Sequence, residues 1–146
     1  MCPKLELRDG LLSSISTVCT SQPVILAYLF GSQARGKADT ESDTDIAVLL
    51  KEGYSREERW KLRMTLQHAL ADSLDVPFEK VDVVILQDVP VLLQYNVIRT
   101  GVPVFEARPG LQRDFTLQVE RSYDDELPLL ERETDLALSR ILTSRR

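Results

Sequence analysis

The sequence has few of the features that mark membrane or secreted proteins. Its 146 residues contain no apolar run near the roughly 18 residues that a membrane-spanning helix needs. Residues 1–10 lack the basic and then apolar pattern of a secretion signal. The two cysteines, Cys2 and Cys19, have neither metal-binding nor redox spacing, and two do not make a disulfide framework. We therefore expect free thiols, no membrane association and a cytoplasmic location.

Positive charge is also scarce. The chain carries 18 lysines and arginines against 23 aspartates and glutamates, which gives a formal net charge of −5. Such a surface repels the phosphates of nucleic acids unless it has a local basic patch, so we expect no direct nucleic acid binding. The charge fits better with a small nucleotide carried by a metal ion, or with a basic protein partner.

Hydrophobic periodicity predicts one α/β or α+β domain with a small central sheet. Helical spacing of Leu11, Ile15 and Val18 indicates a first helix that stops before Pro23. Apolar runs predict strands at 24–30, 43–50, 81–86 and 102–105, and polar–apolar periods predict helices at 55–74 and 90–100. Pro103 cannot donate a ladder hydrogen bond, which favours an edge position for the last strand.

Two helical regions carry more specific expectations. Ser55 is the predicted N-cap of the helix 55–74, with Glu58 completing a capping box, and Trp60 and Met64 are predicted to face the core. The core of the domain is expected at about 1–105 and a helical extension at about 108–146. Within that extension Pro128 is expected to break or kink the helix, because proline removes a backbone donor.

Residues 30–50, FGSQARGKADTESDTDIAVLL, fit two phosphate-binding patterns. Gly31, Gly36 and Lys37 match the front of a P-loop, but Ala38 stands where that loop needs a hydroxyl for Mg²⁺. A P-loop also needs a substantial helix behind it, and only a short polar segment separates Lys37 from the next predicted strand. The P-loop interpretation therefore fails on two independent requirements.

The second pattern is Gly-Ser followed by Asp-x-Asp. Asp43 and Asp45 lie two residues apart on a predicted strand, so both side chains leave the same face with Cα atoms about 6.6 Å apart. Asp82 is the second residue of an otherwise apolar strand and can face the pair if the strands are neighbours. Three carboxylates can hold two Mg²⁺ ions and accept a proton from an attacking hydroxyl. Their mutual repulsion should raise the pKa of at least one of them.

Gly31 and Ser32 form the other half of this pattern. They follow a predicted buried strand, where glycine lets the backbone approach a phosphate closely. The hydroxyl of Ser32 and the N–H groups at the start of a helical turn can then bind phosphate oxygens. Arg35 and Lys37 can add positive charge.

The combined motif resembles the minimal nucleotidyltransferase family of the DNA polymerase beta superfamily. The positions that match the family pattern are Gly31, Ser32, Arg35, Gly36, Ser42, Asp43, Asp45 and Asp82. The resemblance implies a polymerase-beta-like fold with a small mixed sheet and C-terminal helices. It further implies that ATP is a substrate whose phosphates Gly31, Ser32 and Arg35 bind. Asp43 and Asp45 would bind two Mg²⁺ ions, and Asp82 would bind the nucleophile-side ion and help deprotonate the acceptor.

Stand-alone members of this family resemble the antitoxin half of HEPN/MNT toxin–antitoxin pairs. That resemblance implies transfer of AMP from ATP to a tyrosine of a HEPN ribonuclease partner. Two alternatives stay open: nucleotide transfer to a small molecule, as in aminoglycoside-modifying relatives, and a non-catalytic antitoxin that acts by binding alone. The three acids on core strands favour a catalytic protein over the last alternative.

Overall fold

The fold is described from a computed structural model, which defines the backbone of residues 3–31 and 43–144 and the side chains of 10–31 and 43–127. The helices are α1 (Pro3–Thr20), α2 (Arg56–Leu74), α3 (Val91–Thr100) and α4 (Leu111–Ser144). The strands are β1 (Val24–Phe30), β2 (Thr44–Leu50), β3 (Val81–Ile85) and β4 (Val102–Glu106). Short 3₁₀ turns at Phe78–Lys80 and Leu86–Asp88 flank β3. Within these described ranges, no helix is long and apolar enough to cross a membrane.

The four strands form one mixed sheet in the order β3-β2-β1-β4. β1 is antiparallel to both β2 and β4, whereas β2 and β3 are parallel. The predicted fold class is therefore confirmed, and β4 is an edge strand as Pro103 indicated. The end of β1 meets the beginnings of β2 and β3 at one end of the sheet, which places the motifs of the sequence together.

Helices cover both faces of the sheet, which explains why the strands are apolar runs rather than alternating ones. Ile46 and Val48 of β2 pack in one cluster with residues of α1 and α2. Ala47, between them in sequence, belongs to the opposite cluster with Val97 of α3 and Phe115 of α4. Because successive strand residues point to opposite faces, Asp45 lies on the α3 and α4 side.

α2 begins and ends as its sequence indicates, but its core side differs from the prediction. The Ser55 hydroxyl accepts a hydrogen bond from the Glu58 N–H at 3.1 Å, which confirms the N-cap. The helix buries Leu66 and Leu70, while Trp60 is 58% exposed. The prediction that Trp60 faces the core is wrong, because six residues before Leu66 is about a third of a turn away around the helix.

α4 corrects the expectation of a break at Pro128. The helix continues from Leu111 to Ser144, about 51 Å at the usual rise per residue. Proline removes the hydrogen bond to the carbonyl of Asp124, four residues earlier. Asp124 lies in an exposed stretch of the helix, so water can satisfy that carbonyl. The expected second start at Asp125 or Glu126 is consequently absent from this described helix.

The described cysteine behaves as a buried apolar residue. Cys19 is a free thiol in the cluster between α1, α2 and the sheet, as predicted. Burial raises its pKa to about 12, so it stays protonated and unreactive. Cys2 lies outside the described residues.

The first half of α4 holds the helix on the sheet, and this assignment can be tested by truncating side chains. Phe115 is buried and Leu117, two residues later, is 45% exposed. We expect Phe115→Ala to lower the free energy of unfolding by about 3–5 kcal/mol, because it leaves a cavity in the core. Leu117→Ala is the matched control and should change it by less than about 0.5 kcal/mol in the isolated chain. Urea unfolding curves give both values, and equal losses would contradict the assigned docking face.

Candidate active site

Most of the predicted site residues lie at the end of the sheet where β1 ends. Gly31 directly follows β1 and has a positive φ of 73°. Asp43 directly precedes β2, Asp45 is the second residue of β2, and Asp82 is the second residue of β3. The remaining predicted residues, Ser32 and Arg35, fall outside the described residues.

Strand register brings the acidic residues together. Asp45 pairs with Phe30 across the antiparallel ladder and with Asp82 across the parallel one. Partners in register point to the same face, so the carboxylates of Asp45 and Asp82 are neighbours. Thr44 is buried on the opposite face, and this orientation leaves Asp43 and Asp45 on a common side. The predicted proximity of the three acids follows from this register.

Asp45 lies deepest among the three. Its side chain is half-buried, whereas the side chains of Asp43 and Asp82 are 61% and 57% exposed. Burial raises the pKa of Asp45, and the negative charges of Asp82 and Asp43 raise it further. Desolvation is the larger cause, because the sheet and its covering helices remove water from the carboxylate.

Two cationic side chains lie near the outer carboxylates, those of Asp43 and Asp82. Neither contact was predicted from the sequence. Lys80 Nζ lies 3.9 Å from Asp43 Oδ1, and Arg63 Nη2 lies 3.9 Å from Asp82 Oδ1. Lys80 is two residues before Asp82 in sequence, which was a usable signal. Arg63 belongs to α2, and nothing in its local pattern distinguishes it from the other charged residues of that helix.

The cluster fits a divalent cation by residue type and by backbone position. Carboxylate oxygens are the hard ligands that Mg²⁺ prefers, and the register places Asp45 beside Asp82 while Asp43 directly precedes β2. In the part of the chain with described side chains, however, no three acidic, histidine or cysteine groups surround a common point. Asp43 and Asp82 are instead beside Lys80 and Arg63. Sharing an ion with Asp45 therefore requires the outer carboxylates to exchange these cations for the metal.

Gly31 is tied to the acidic cluster as well as to the predicted phosphate site. A Cβ atom built at Gly31 would collide with Oδ2 of Asp45. The positive φ independently disfavours any other residue there. The glycine of the Gly-Ser motif thus leaves room for the Asp45 carboxylate, a role that is not evident from the sequence.

A separate apolar groove of about 490 Å³ lies between α3 and α4. The rings of Tyr95 and Tyr123 stack in its wall, with centroids 3.9 Å apart and planes 6° from parallel. Leu92 is exposed at its rim. None of the acidic cluster lines this groove, so it is a different surface from the carboxylate site.

The chain is similar in sequence to a known protein family and to a characterised relative. Residues 13–109 match the family described as Polymerase beta, Nucleotidyltransferase, a range that includes Gly31, Asp43, Asp45 and Asp82. The protein adenylyltransferase MntA of Shewanella oneidensis is 41% identical over 51 residues. That alignment covers 35% of this chain and only 37% of MntA, so it spans little more than a third of the relative.

Solved structures extend the likeness to nearly the whole chain. A chain of a toxin–antitoxin crystal structure with AMP-PNP superposes with a TM-score of 0.67 at 25% identity, covering 90% of this chain and 98% of the other. A structure of the tri-AMPylated Shewanella oneidensis HEPN toxin with its MNT antitoxin gives a TM-score of 0.64 at 23% identity, covering 92% and 98%. At that identity the second likeness shows the fold alone.

The contact between position 31 and Asp45 predicts a specific energetic coupling. Gly31→Ala should cost about 1–2 kcal/mol for its left-handed backbone, plus the displacement of the carboxylate. In an Asp45→Ala background the second contribution vanishes, and only the backbone cost should remain. Gly53→Ala is the matched control, since Gly53 also has a positive φ but has open space around a Cβ. Denaturant unfolding of the wild type, Gly31→Ala, Asp45→Ala and their double variant measures the coupling, and Gly53→Ala in both backgrounds gives the cost without the contact. A Gly31→Ala cost that is the same in both backgrounds contradicts the contact.

The raised pKa of Asp45 predicts a pH-dependent stability without metal. A folded-state pKa above the ordinary 3.8 means that ionised Asp45 destabilises the fold at neutral pH. This penalty is lost as pH falls through the raised pKa and is absent below about 3.8. In EDTA at pH 7, Asp45→Asn should therefore melt higher than the wild type, and the gap should close in acid.

Asp43→Asn serves as the control for that measurement. It removes a carboxylate of the same cluster but also the ion pair with Lys80, so the gain of Asp45→Asn should not be reproduced. Thermal melts of the three proteins between pH 4 and pH 8 decide the question. A wild type that is at least as stable as Asp45→Asn at pH 7 is incompatible with a penalised carboxylate.

Proposed function

The chain belongs to the polymerase beta nucleotidyltransferase family, and we propose that it is an antitoxin that transfers AMP from ATP to a tyrosine of a partner HEPN ribonuclease. The observation that carries the proposal is the register that puts Asp82 beside Asp45, at the same end of the sheet as Gly31. The likeness to a protein adenylyltransferase and to a toxin–antitoxin structure with AMP-PNP supports the nucleotide and the kind of acceptor.

Each predicted site residue has a role in this reaction. Gly31, Ser32 and Arg35 bind the phosphates of ATP, with Gly31 also clearing space for Asp45. Asp43, Asp45 and Asp82 are the ligands for two Mg²⁺ ions. When bound, Mg²⁺ neutralises phosphate charge and favours the ionised acceptor hydroxyl.

The chemistry is a substitution at the α-phosphorus of ATP. The acceptor oxygen forms a bond to that phosphorus while the bond to the bridging oxygen of the β-phosphate breaks, and pyrophosphate leaves. Asp82 takes the proton from the acceptor hydroxyl, a role open to it because its side chain is more than half exposed. Asp45 is less accessible, which suits a fixed ligand better than a proton acceptor.

The two parts of the chain have different tasks in this proposal. Residues 1–105 form the catalytic core, and the extension at about 108–146 contributes to holding the partner. Beyond its buried residues, α4 presents the exposed Leu117 and the side of the groove formed by Tyr123. Acceptor and nucleotide would meet in the cytoplasm, where ATP and Mg²⁺ are both abundant.

The decisive experiment co-expresses the chain with a candidate HEPN partner and measures the intact mass of that partner. We expect one or more adenylate additions on tyrosine with the wild type. With Asp45→Asn the modification rate should fall at least about 100-fold, because one of the carboxylates that would hold the metal ions is lost. Asp72→Asn removes an exposed acid of α2 far along the helix and is the matched control; it should modify the partner normally.

The alternatives predict different results in the same experiment. A partner that is neutralised by the wild type and by Asp45→Asn alike, with no added mass, supports an antitoxin that acts by binding alone. Transfer of labelled AMP only to small molecules of a cell extract supports a small-molecule acceptor. Either outcome contradicts adenylylation of a HEPN partner.

A further inference from the structure

Two arginines one turn apart on α2 are held in very different ways. Arg59 is held by several hydrogen bonds. Its Nη2 lies 2.6 Å from Asp88 Oδ1, and its Nε donates to both oxygens of the same carboxylate at 3.0 Å. Its Nη1 donates to the carbonyl of Tyr54. Distances of this size are those of strong, charge-assisted hydrogen bonds. Arg59 thus fastens the start of α2 to the turn after β3.

Arg63 is held loosely by comparison. Its Nη2 is 3.9 Å from Asp82 Oδ1, beyond hydrogen-bond distance. Its Nε is buried and has no hydrogen-bond partner among the described residues. The guanidinium therefore remains near Asp82 through charge attraction rather than through a fixed bonding geometry, and it can leave without breaking a hydrogen bond to that carboxylate.

The position of Arg63 near an edge of the sheet explains how its side chain comes close to Asp82. α2 packs against the face that contains Ile46 and Val83, whereas Asp82 points to the other face. β3 is an edge strand that packs against α2, and at this edge the Arg63 guanidinium lies near the Asp82 carboxylate. Lys80 approaches Asp43 at the same distance from the turn before β3, alongside other contacts of its own.

Charge balance gives this arrangement a consequence. Three carboxylates lie together, and the two cations offset two of their negative charges in the metal-free state. A divalent ion needs the same oxygens, and a guanidinium beside the site repels it. We propose that Arg63 is the resident counter-ion of Asp82 and that it lowers the affinity of the acidic cluster for divalent metal ions, which must displace it. This inference rests on the metal role of the cluster in the proposed function.

Arg63 acts through Asp82 and is therefore a positioning residue. A unit charge about 6 Å from a divalent ion in water changes the binding constant by roughly three- to tenfold at low ionic strength. Arg63→Gln should accordingly bind Mn²⁺, used as a spectroscopic probe for Mg²⁺, about three- to tenfold more tightly than the wild type. Added salt should shrink the difference, since the effect is electrostatic.

The experiment measures Mn²⁺ binding to the full chain without nucleotide, by electron paramagnetic resonance of the free ion. Arg63→Lys keeps the charge and should bind like the wild type. Arg59→Gln removes an equal charge from the same helix but at the Asp88 pair, and it should leave Mn²⁺ affinity unchanged. Lys80→Gln is a second test of competition at Asp43 and should also tighten binding, which keeps the idea testable if Arg63→Gln folds poorly.

Every result has a definite meaning. Unchanged Mn²⁺ binding by a folded Arg63→Gln overturns the counter-ion role of Arg63 whatever the result for Lys80→Gln, and weaker binding indicates instead that Arg63 orients Asp82 for metal. If Arg63→Gln does not fold, unchanged or weaker binding by Lys80→Gln overturns the competition between these cations and the metal. Absence of Mn²⁺ binding in all variants overturns this inference together with the metal part of the proposed function. Tighter binding by Arg63→Gln with no adenylate on any partner upholds the inference while the proposed acceptor fails.

Discussion

The repulsion among three carboxylates at one end of a small sheet is the constraint around which this end of the molecule is organised. Asp45 is half-buried with two acidic neighbours, and its pKa is raised as a result. Every nearby feature reduces the cost of that arrangement. Gly31 leaves space for the carboxylate, Arg63 and Lys80 bring opposite charge, and the outer acids remain in water where the dielectric constant is high.

The part of the site that the sequence could predict is the part that strand geometry controls. Alternation along a strand is strict, so the spacing of Asp43 and Asp45 predicts a common face. The apolar run around Asp82 predicts a buried strand, whereas its place beside β2 was only a condition of the prediction and is shown by the sheet order. Ser32 and Arg35 remain predictions, because they fall outside the described residues.

What could not be predicted depends on contacts between elements that are distant in sequence. Arg63 lies near Asp82 because α2 packs against β3, a contact that no local sequence pattern specifies. Trp60 illustrates the same limit of prediction from sequence, because the buried side of a helix depends on the element that it packs against and not on the size of a residue. Pro128 illustrates a different limit of prediction from sequence. The hydrogen bond that a proline removes ends a helix only where water or packing cannot compensate for it.

The position of the acidic cluster at an edge strand also bears on how the exposed edge of the sheet is protected. An outer strand offers unpaired backbone groups to any other extended chain, and proteins guard such edges with short strands, prolines and charges. β4 has Pro103, and β3 is five residues long with Asp82 near its start and the Arg63 guanidinium 3.9 Å from that carboxylate. The charges of Asp82 and Arg63 thus also discourage edge-to-edge association of the sheet, so that a neutral residue at position 82 carries a risk to solubility that is separate from the proposed role of Asp82.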